Sequence, residues 1–331
     1  MKPYKQVAVI AFCSYMFGLT ACDIAYPAVE GKFDRTLNVT GRVDLEVTTG
    51  SGSIDIRAGS SSVVEIHGII RANDDWKNNA QEKVRYLTTN PPIEQNGNVI
   101  RIGQIEDQTY RNNVSIAYEI IVPAETQVQA KTGSGSERLE GVRGPVEAST
   151  GSGSISVYSI ASDVNARTGS GSIHLDQVAG NVEAHTGSGS IRGGNIAGSI
   201  KADTGSGGIR LGQTSVESGA TREVEASTGS GSIEINGVNG PLHAESHSGG
   251  ISVTGNPSGD WKLNASSGSV ALTLTANPAF DLYAHSSSGR ISVDHPVTVS
   301  GTISKHEMRG KVRGGGHLID VRTNSGGITI R

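Results

Sequence analysis

The sequence predicts an all-β chain. It reads as a single parallel β-solenoid (β-helix), right-handed, built of roughly 18-residue coils and carrying an irregular N-terminal cap region. Three observations lead there. The pentapeptide Thr-Gly-Ser-Gly-Ser starts at Thr49, Thr132, Thr150, Thr168, Thr186 and Thr228, and from Thr132 to a near-copy at Thr204 the interval is 18 residues every time. Val, Ile and Leu recur in phase with those glycines, which a disordered Gly/Ser linker has no reason to do. Finally, 45 glycines with only 4% aromatic residues leave too few large apolar side chains for a conventional globular core.

The chain begins with an export signal. Lys2 and Lys5 precede an apolar stretch over residues 7–21, short for a membrane-spanning helix. It ends Leu19-Thr20-Ala21-Cys22, which resembles the bacterial lipobox, so residues 1–21 are expected to be cleaved and Cys22 to become an acylated N-terminus followed by Asp23. That predicts a lipid-anchored envelope protein, periplasmic or surface-exposed, whose first partner is a membrane. The other cysteine, Cys13, leaves with the signal, so neither a disulfide nor a thiol nucleophile is available. Cleavage also takes the formal charge from −4 to −6, against a nucleic-acid partner.

Residues 22–127 are expected to hold a first repeat-like coil (45–56) and the cap. Within the cap, residues 63–66, 99–102 and 116–122 read as strands. Residues 75–87 read as a short helix, with Trp76, Ala80 and Val84 at helical spacing and Asn90-Pro91-Pro92 beyond its end. The cap would cover strand edges that an open solenoid end exposes.

Residues 128–331 are the solenoid proper. In the unit V-x-A-x-T-G-S-G-S-I-x-V/L-x-x-V-x-G-x, Val146 and Ala148 share one strand face, as do Ile155 and Val157. Ile155 lies nine residues after Val146, an odd offset, so the alternation resets at Gly151-Ser152-Gly153, where glycine supplies a positive φ or a close backbone approach. A second corner is expected near Gly180, Gly198 and Gly240. One unit buries about five modest apolar side chains at roughly 1.5–3 kcal/mol each. Ordering its backbone costs about 1–2 kcal/mol per residue, so only stacked coils are stable. Later corners drift, at Ser248, Ser267, Ser288 and Ser325, and the coils around 213–223 and 256–261 are irregular.

Taken with those stacked Ser-Gly-x-Ile units, the run Val-Ser-Ile-Ala-Tyr-Glu-Ile-Ile-Val-Pro (114–123) resembles the DUF4097 family of candidate adhesins, over nearly the whole mature chain. The family carries Ser-Gly-Asp-Ile/Val where this chain mostly has Ser-Gly-Ser-Ile. The resemblance implies a β-solenoid and an adhesin-like role, and it brings no catalytic motif.

Several chemistries are disfavoured by pattern. The repeated Gly-Ser-Gly lacks the Lys and following helix of a phosphate loop. The turns carry Ser where calcium-binding solenoids need Asp, and the nine histidines share no slot, so no metal or other cofactor is expected. Glu147, Glu183 and Glu225 share one slot, but Asn165 and Lys201 interleave with them and read as a solvated face. The corner Thr and Ser columns are expected to cap turns along the rod. The sequence therefore predicts a non-enzymatic, adhesin-like interaction module with an unknown envelope or surface glycan or protein partner. The alternatives are a glycan-active β-helix enzyme or an envelope sensor. Candidate binding residues are Trp261 and Asp260 in an irregular loop, and Lys305, Arg309, Lys311, Arg313 and Arg322 in a basic C-terminal end.

Overall fold

Alternation along each repeat puts Val146, Ala148 and Thr150 inside on one strand and Ile155 and Val157 inside on the next. In the computed structural model, which describes residues 28–60, 62–73, 79–214, 222–275, 278–299 and 304–331, each coil gives one strand to each of two sheets, of 14 and 15 strands. Successive coils pair in parallel and in register: Val146 faces Val164 and Thr150 faces Thr168, while Ile155 faces Ile173. Like residues therefore stack in columns, and the core is one continuous stack of Val, Ala and Ile between the sheets. The predicted parallel β-solenoid is the observed fold.

Close approach, rather than unusual backbone angles, is what requires glycine at the first corner. A Cβ on Gly171 would run into the carbonyl oxygen of Gly153 in the neighbouring coil, backbone against backbone, and the same holds at Gly153 against Gly135. The Thr column does the expected capping. Thr168 Oγ1 donates to Gly153 O (2.8 Å) and accepts from Gly171 N (3.1 Å), tying its own corner to the coil below. Gly171→Ala is expected to lower stability by about 2–3 kcal/mol, since neither backbone can give way cheaply. Ser170→Ala, on the exposed flank of the same corner, should stay within about 0.5 kcal/mol. Denaturant midpoints of the pair decide it, and equal midpoints would remove the close-approach account.

The second corner falls where expected, around Gly180 between the strands ending at Val178 and starting at Val182, but a left-handed kink precedes it. Its left-handed residues are Ser159 (φ 56), Gln177 (φ 57) and Asn195 (φ 53), three positions before the Gly180 slot, with Gly141 and Gly237 taking the same role elsewhere. That kink drops one residue from the ladder, so that both Val157 and Ile160 face the core. It is the physical origin of the V-x-x-V spacing in the repeat.

The cap contains the expected strands, at Val63–Ala72, Val99–Ile102 and Val114–Pro123. Its helix spans Ala80–Thr89, later than the 75–87 expected, with Ala80, Val84 and Leu87 buried. The helix lies against strand Val29–Asn38, where a Cβ on Gly31 would collide with Val84. Trp76 lies outside the described residues, as do the signal segment, Cys22, and 215–221 of the irregular 213–223 coil.

Neither end of the stack follows chain order. Strands Val43–Thr49 and Ile54–Gly59 form a coil that lies between residues 99–123 and residues 126–140. At the other end, strands His317–Thr323 and Ile328–Ile330 insert between the coil 261–274 and the coil 280–293. The corner hydroxyls confirm this order, because Thr323 Oγ1 donates to Gly268 O and Ser286 Oγ donates to Gly326 O (2.8 Å each). Strand Glu307–Val312, antiparallel to Phe280–Ser286, closes the C-terminal end of the 15-stranded sheet together with Val297–Val299.

Candidate functional site

On the outward face of the 15-stranded sheet, register brings one side chain per coil into a row: Gln129, Glu147, Asn165, Glu183, Lys201 and Glu225. Beside it, at the second corner, runs another row containing Asp163, Asn181, Ser199 and Glu223. Between the two lies an open groove of about 590 Å³, whose floor is the strand starts at Val128, Val146, Val164, Val182 and Ile200.

The two rows do different work. Corner side chains accept hydrogen bonds from the backbone of the following coil: Asn181 N to Asp163 Oδ1 (2.7 Å), Ser199 N to Asn181 Oδ1 (3.0 Å) and Glu223 N to Ser199 Oγ (3.2 Å). Short polar side chains belong at this slot because only they reach back to the chain beside them. The strand row is looser. Gln129 Nε2 reaches Glu147 Oε2, and Asn165 Nδ2 reaches Glu183 Oε2, each at 3.4 Å, a weak hydrogen bond. Asn165 Oδ1 is enclosed and has no partner. Arg167 holds Glu183 (2.9 Å) and Lys201 holds Glu225 (2.9 Å), and the Glu225 hydrogen bond raises the Lys201 pKa.

Charge in the groove is one-sided. Its lining carries Glu147, Asp163, Glu183, Glu223 and Glu225 against the single cation Lys201. With Glu183 and Glu225 paired, Glu147, Asp163 and Glu223 have no cation within ion-pair distance among the described residues. Glu147 and Glu183 stand two coils apart, about 9.6 Å at the spacing of neighbouring strands, with Asn165 between them. Among the described residues no three His, Cys, Asp or Glu side chains come close enough to hold a metal ion.

The residues singled out from sequence fall elsewhere. Trp261 is in the core, not on a binding surface: it is 1% exposed, stacks between Leu242 and Ile319, and donates from Nε1 to Gly240 O (2.9 Å). It occupies the column that Val, Ile and Leu fill in the other coils. Asp260 acts as another corner acceptor, taking Leu318 N (2.9 Å) and so fastening the inserted last coil.

The basic end is largely neutralised from within. Arg309 pairs with Glu307 (2.9 Å), Arg322 pairs with Asp320 (2.8 Å), and Lys311 lies 3.9 Å from Asp281. The structure brings Arg309 and Arg322 together over Tyr283, at 4.5 and 5.0 Å from the ring centre, and both guanidinium pKa values are raised, Arg309 by its Tyr283 contact first and Arg322 by Asp320. Lys305 and Arg313 are exposed near by, Arg313 in a left-handed turn (φ 50). Arg322 also sits one coil inside the stack rather than at its tip. The groove was missed because its two slots, read separately, look like scattered acids. They stand only two residues apart, as at Asn181 and Glu183 or Glu223 and Glu225, so alternation alone puts them on one face.

A family model described as Toastrack DUF4097 matches residues 43–331, from the first interleaved coil to the last. No curated protein matches the sequence. Among solved structures, a candidate cell adhesion protein from Clostridium sporogenes is 11% identical, covering 91% of this chain and 99% of its own, with a TM-score of 0.20. A candidate adhesin from Bacteroides fragilis is 10% identical, covering 91% of this chain and 97% of its own, with a TM-score of 0.31.

Proposed function

The chain belongs to the Toastrack DUF4097 family, and on that footing we propose that it is a non-catalytic, adhesin-like interaction module of a bacterial cell envelope, lipid-anchored through Cys22. One observation carries the reading. The groove is made of the same pair of slots repeated from coil to coil. Catalysis needs a single constellation built around one reacting bond. A translational ladder has no such point and suits an extended partner that is held along its length.

The anchor rests on the lipobox-like Leu19-Thr20-Ala21-Cys22. Each buried CH₂ of an acyl chain contributes about 0.8 kcal/mol, and a lipoprotein's several chains together hold firmly. Cys22→Ser is expected to abolish incorporation of a labelled fatty acid and to move the chain to the soluble fraction. Unchanged labelling would remove the anchor from the reading.

The functional test is a binding screen of the soluble chain from Asp23 onward against envelope glycans, peptidoglycan, lipids and host-matrix proteins. Every recovered ligand is re-incubated and sized. Retention without shortening of the ligand is expected. Turnover of any polysaccharide would replace this reading with a glycan-active β-helix enzyme.

A further inference from the structure

The groove has a chemistry that narrows what can lie in it. Every coil along it offers hydrogen-bonding side chains, and these alternate acceptors (Glu147, Asp163, Glu183) with groups that both donate and accept (Gln129, Asn165, Asn181). Hydroxyl groups, themselves donors and acceptors, match such a mixed row, whereas a chain of acceptors alone would not. Coils advance by about 4.8 Å, close to the length of one pyranose ring in an extended β-linked glycan. An extended peptide presents same-face side chains only every 6.6–6.8 Å or so, out of step with the coils. The uncompensated Glu147, Asp163 and Glu223 repel anionic polymers and attract cations. No aromatic ring lines the groove, so stacking cannot be the source of affinity.

We propose that this groove binds a linear β-linked glycan bearing free amino groups, lying along the solenoid axis with about one sugar per coil. Its ammonium groups sit against Glu147 and Glu223, and its hydroxyls exchange hydrogen bonds with Asn165, Asn181 and Gln129. The weak 3.4 Å amide contacts of Gln129 and Asn165 open to the ligand, and the enclosed Asn165 Oδ1 gains the donor it lacks in the free chain. The proposal deepens the interaction-module reading above and rests on it.

The test is calorimetric titration of the soluble chain from Asp23 onward with three probes: a chitosan hexasaccharide, the chitin hexasaccharide in which the same amines are acetylated, and hexalysine. Binding of chitosan is expected, at least about tenfold tighter than chitin and weakening as salt is raised. Glu147→Gln with Glu223→Gln, both exposed or half-exposed on the surface, should keep the melting temperature and lose about tenfold or more in chitosan affinity. Arg309→Gln, at the far end of the rod, should change neither. Equal affinity for chitosan and chitin, preference for hexalysine, no binding, or an unaffected double variant would each overturn the assignment. Those failures leave the interaction module standing if the wider screen recovers another ligand. Shortened chitosan in the recovered sample would instead overturn the module itself.

Discussion

Replacing Glu137 with isoleucine is expected to stabilise the chain, and the gain should grow as pH rises from below 4.5 to about 8. Glu137 follows the corner at Thr132 and occupies the slot that Ile54 and Ile155 fill in the adjoining coils. It is 1% exposed, and neither carboxyl oxygen has a hydrogen-bond partner. Burial pushes its pKa up to about 8 from an ordinary 4.5. Between those values the folded chain keeps a proton that the unfolded chain has released. Stability therefore falls as pH rises through that window, is unaffected by this group below it, and levels off above it. Across the whole window the loss is about 4–5 kcal/mol.

Glu137→Ile removes the titration and restores the apolar column, so its advantage at neutral pH should reach several kcal/mol and shrink toward the packing difference alone in acid. Glu137→Gln separates the two contributions: it flattens the pH dependence while leaving a buried polar group without a partner. The same row holds Tyr118, on the far side of Ile54, whose hydroxyl also lacks a partner and whose pKa burial raises. Urea unfolding of the three chains across pH is the measurement. A gain for isoleucine that is the same in acid and at pH 8 would mean the carboxyl is not held neutral inside the fold.

Trp261→Ala is expected to be the most damaging single change outside the corners. Truncating a fully buried tryptophan costs about 3–5 kcal/mol, and the Gly240 carbonyl loses its donor in the same step. The cavity would open between Leu242 and Ile319, beneath the inserted last coil, so the C-terminal end should loosen with it. Trp261→Phe keeps a six-membered ring but loses the pyrrole ring with its Nε1 donor, and should fall between the unaltered chain and the alanine variant. Denaturant midpoints and amide-exchange protection of residues 317–330 report this directly. A neutral alanine variant, or one that stays stable while losing ligand, would return Trp261 to the surface role its loop suggested.

Much of the fold was legible because one period controls it. The 18-residue interval and the odd offset from Val146 to Ile155 dictate two strands, a glycine corner and a shared core. The order of stacking was not legible. Coils 43–59 and 317–331 carry the same apolar phase as any other, and every coil can stack on every other. What decides their neighbours is how the irregular stretches after them and before them run, and these have no period to read. The second corner was legible at its Gly180 slot, but the left-handed kink three residues before it was not, because the residues there are Ser, Gln and Asn rather than glycine. Trp261 did carry a burial signal, standing nine residues before Val270 as Val146 stands before Ile155, but the Pro257 and Gly259 beside it made it read as a loop tip. Glu137 carried one too: it stands where the other Thr-Gly-Ser-Gly corners are followed by isoleucine. The groove lay in two slots of the repeat that stand two residues apart, and was overlooked because each was read alone rather than as one same-face pair per coil.

The interleaved coil at residues 317–330 is a latch. A ribosome releases 280–293 before 317–331, so the outermost full coil exists before the coil that must lie beneath it. Either that coil waits unpaired or it parts again to admit the tail, and both routes depend on contacts far apart in sequence, which form slowly. A chain cut short by a few tens of residues would not simply be a shorter rod. It would present a gap with two facing strand edges where Asp260 expects the backbone of Leu318, an open template for aggregation and for proteases. That seam is sealed only when residues 317–330 are in place between their two neighbouring coils.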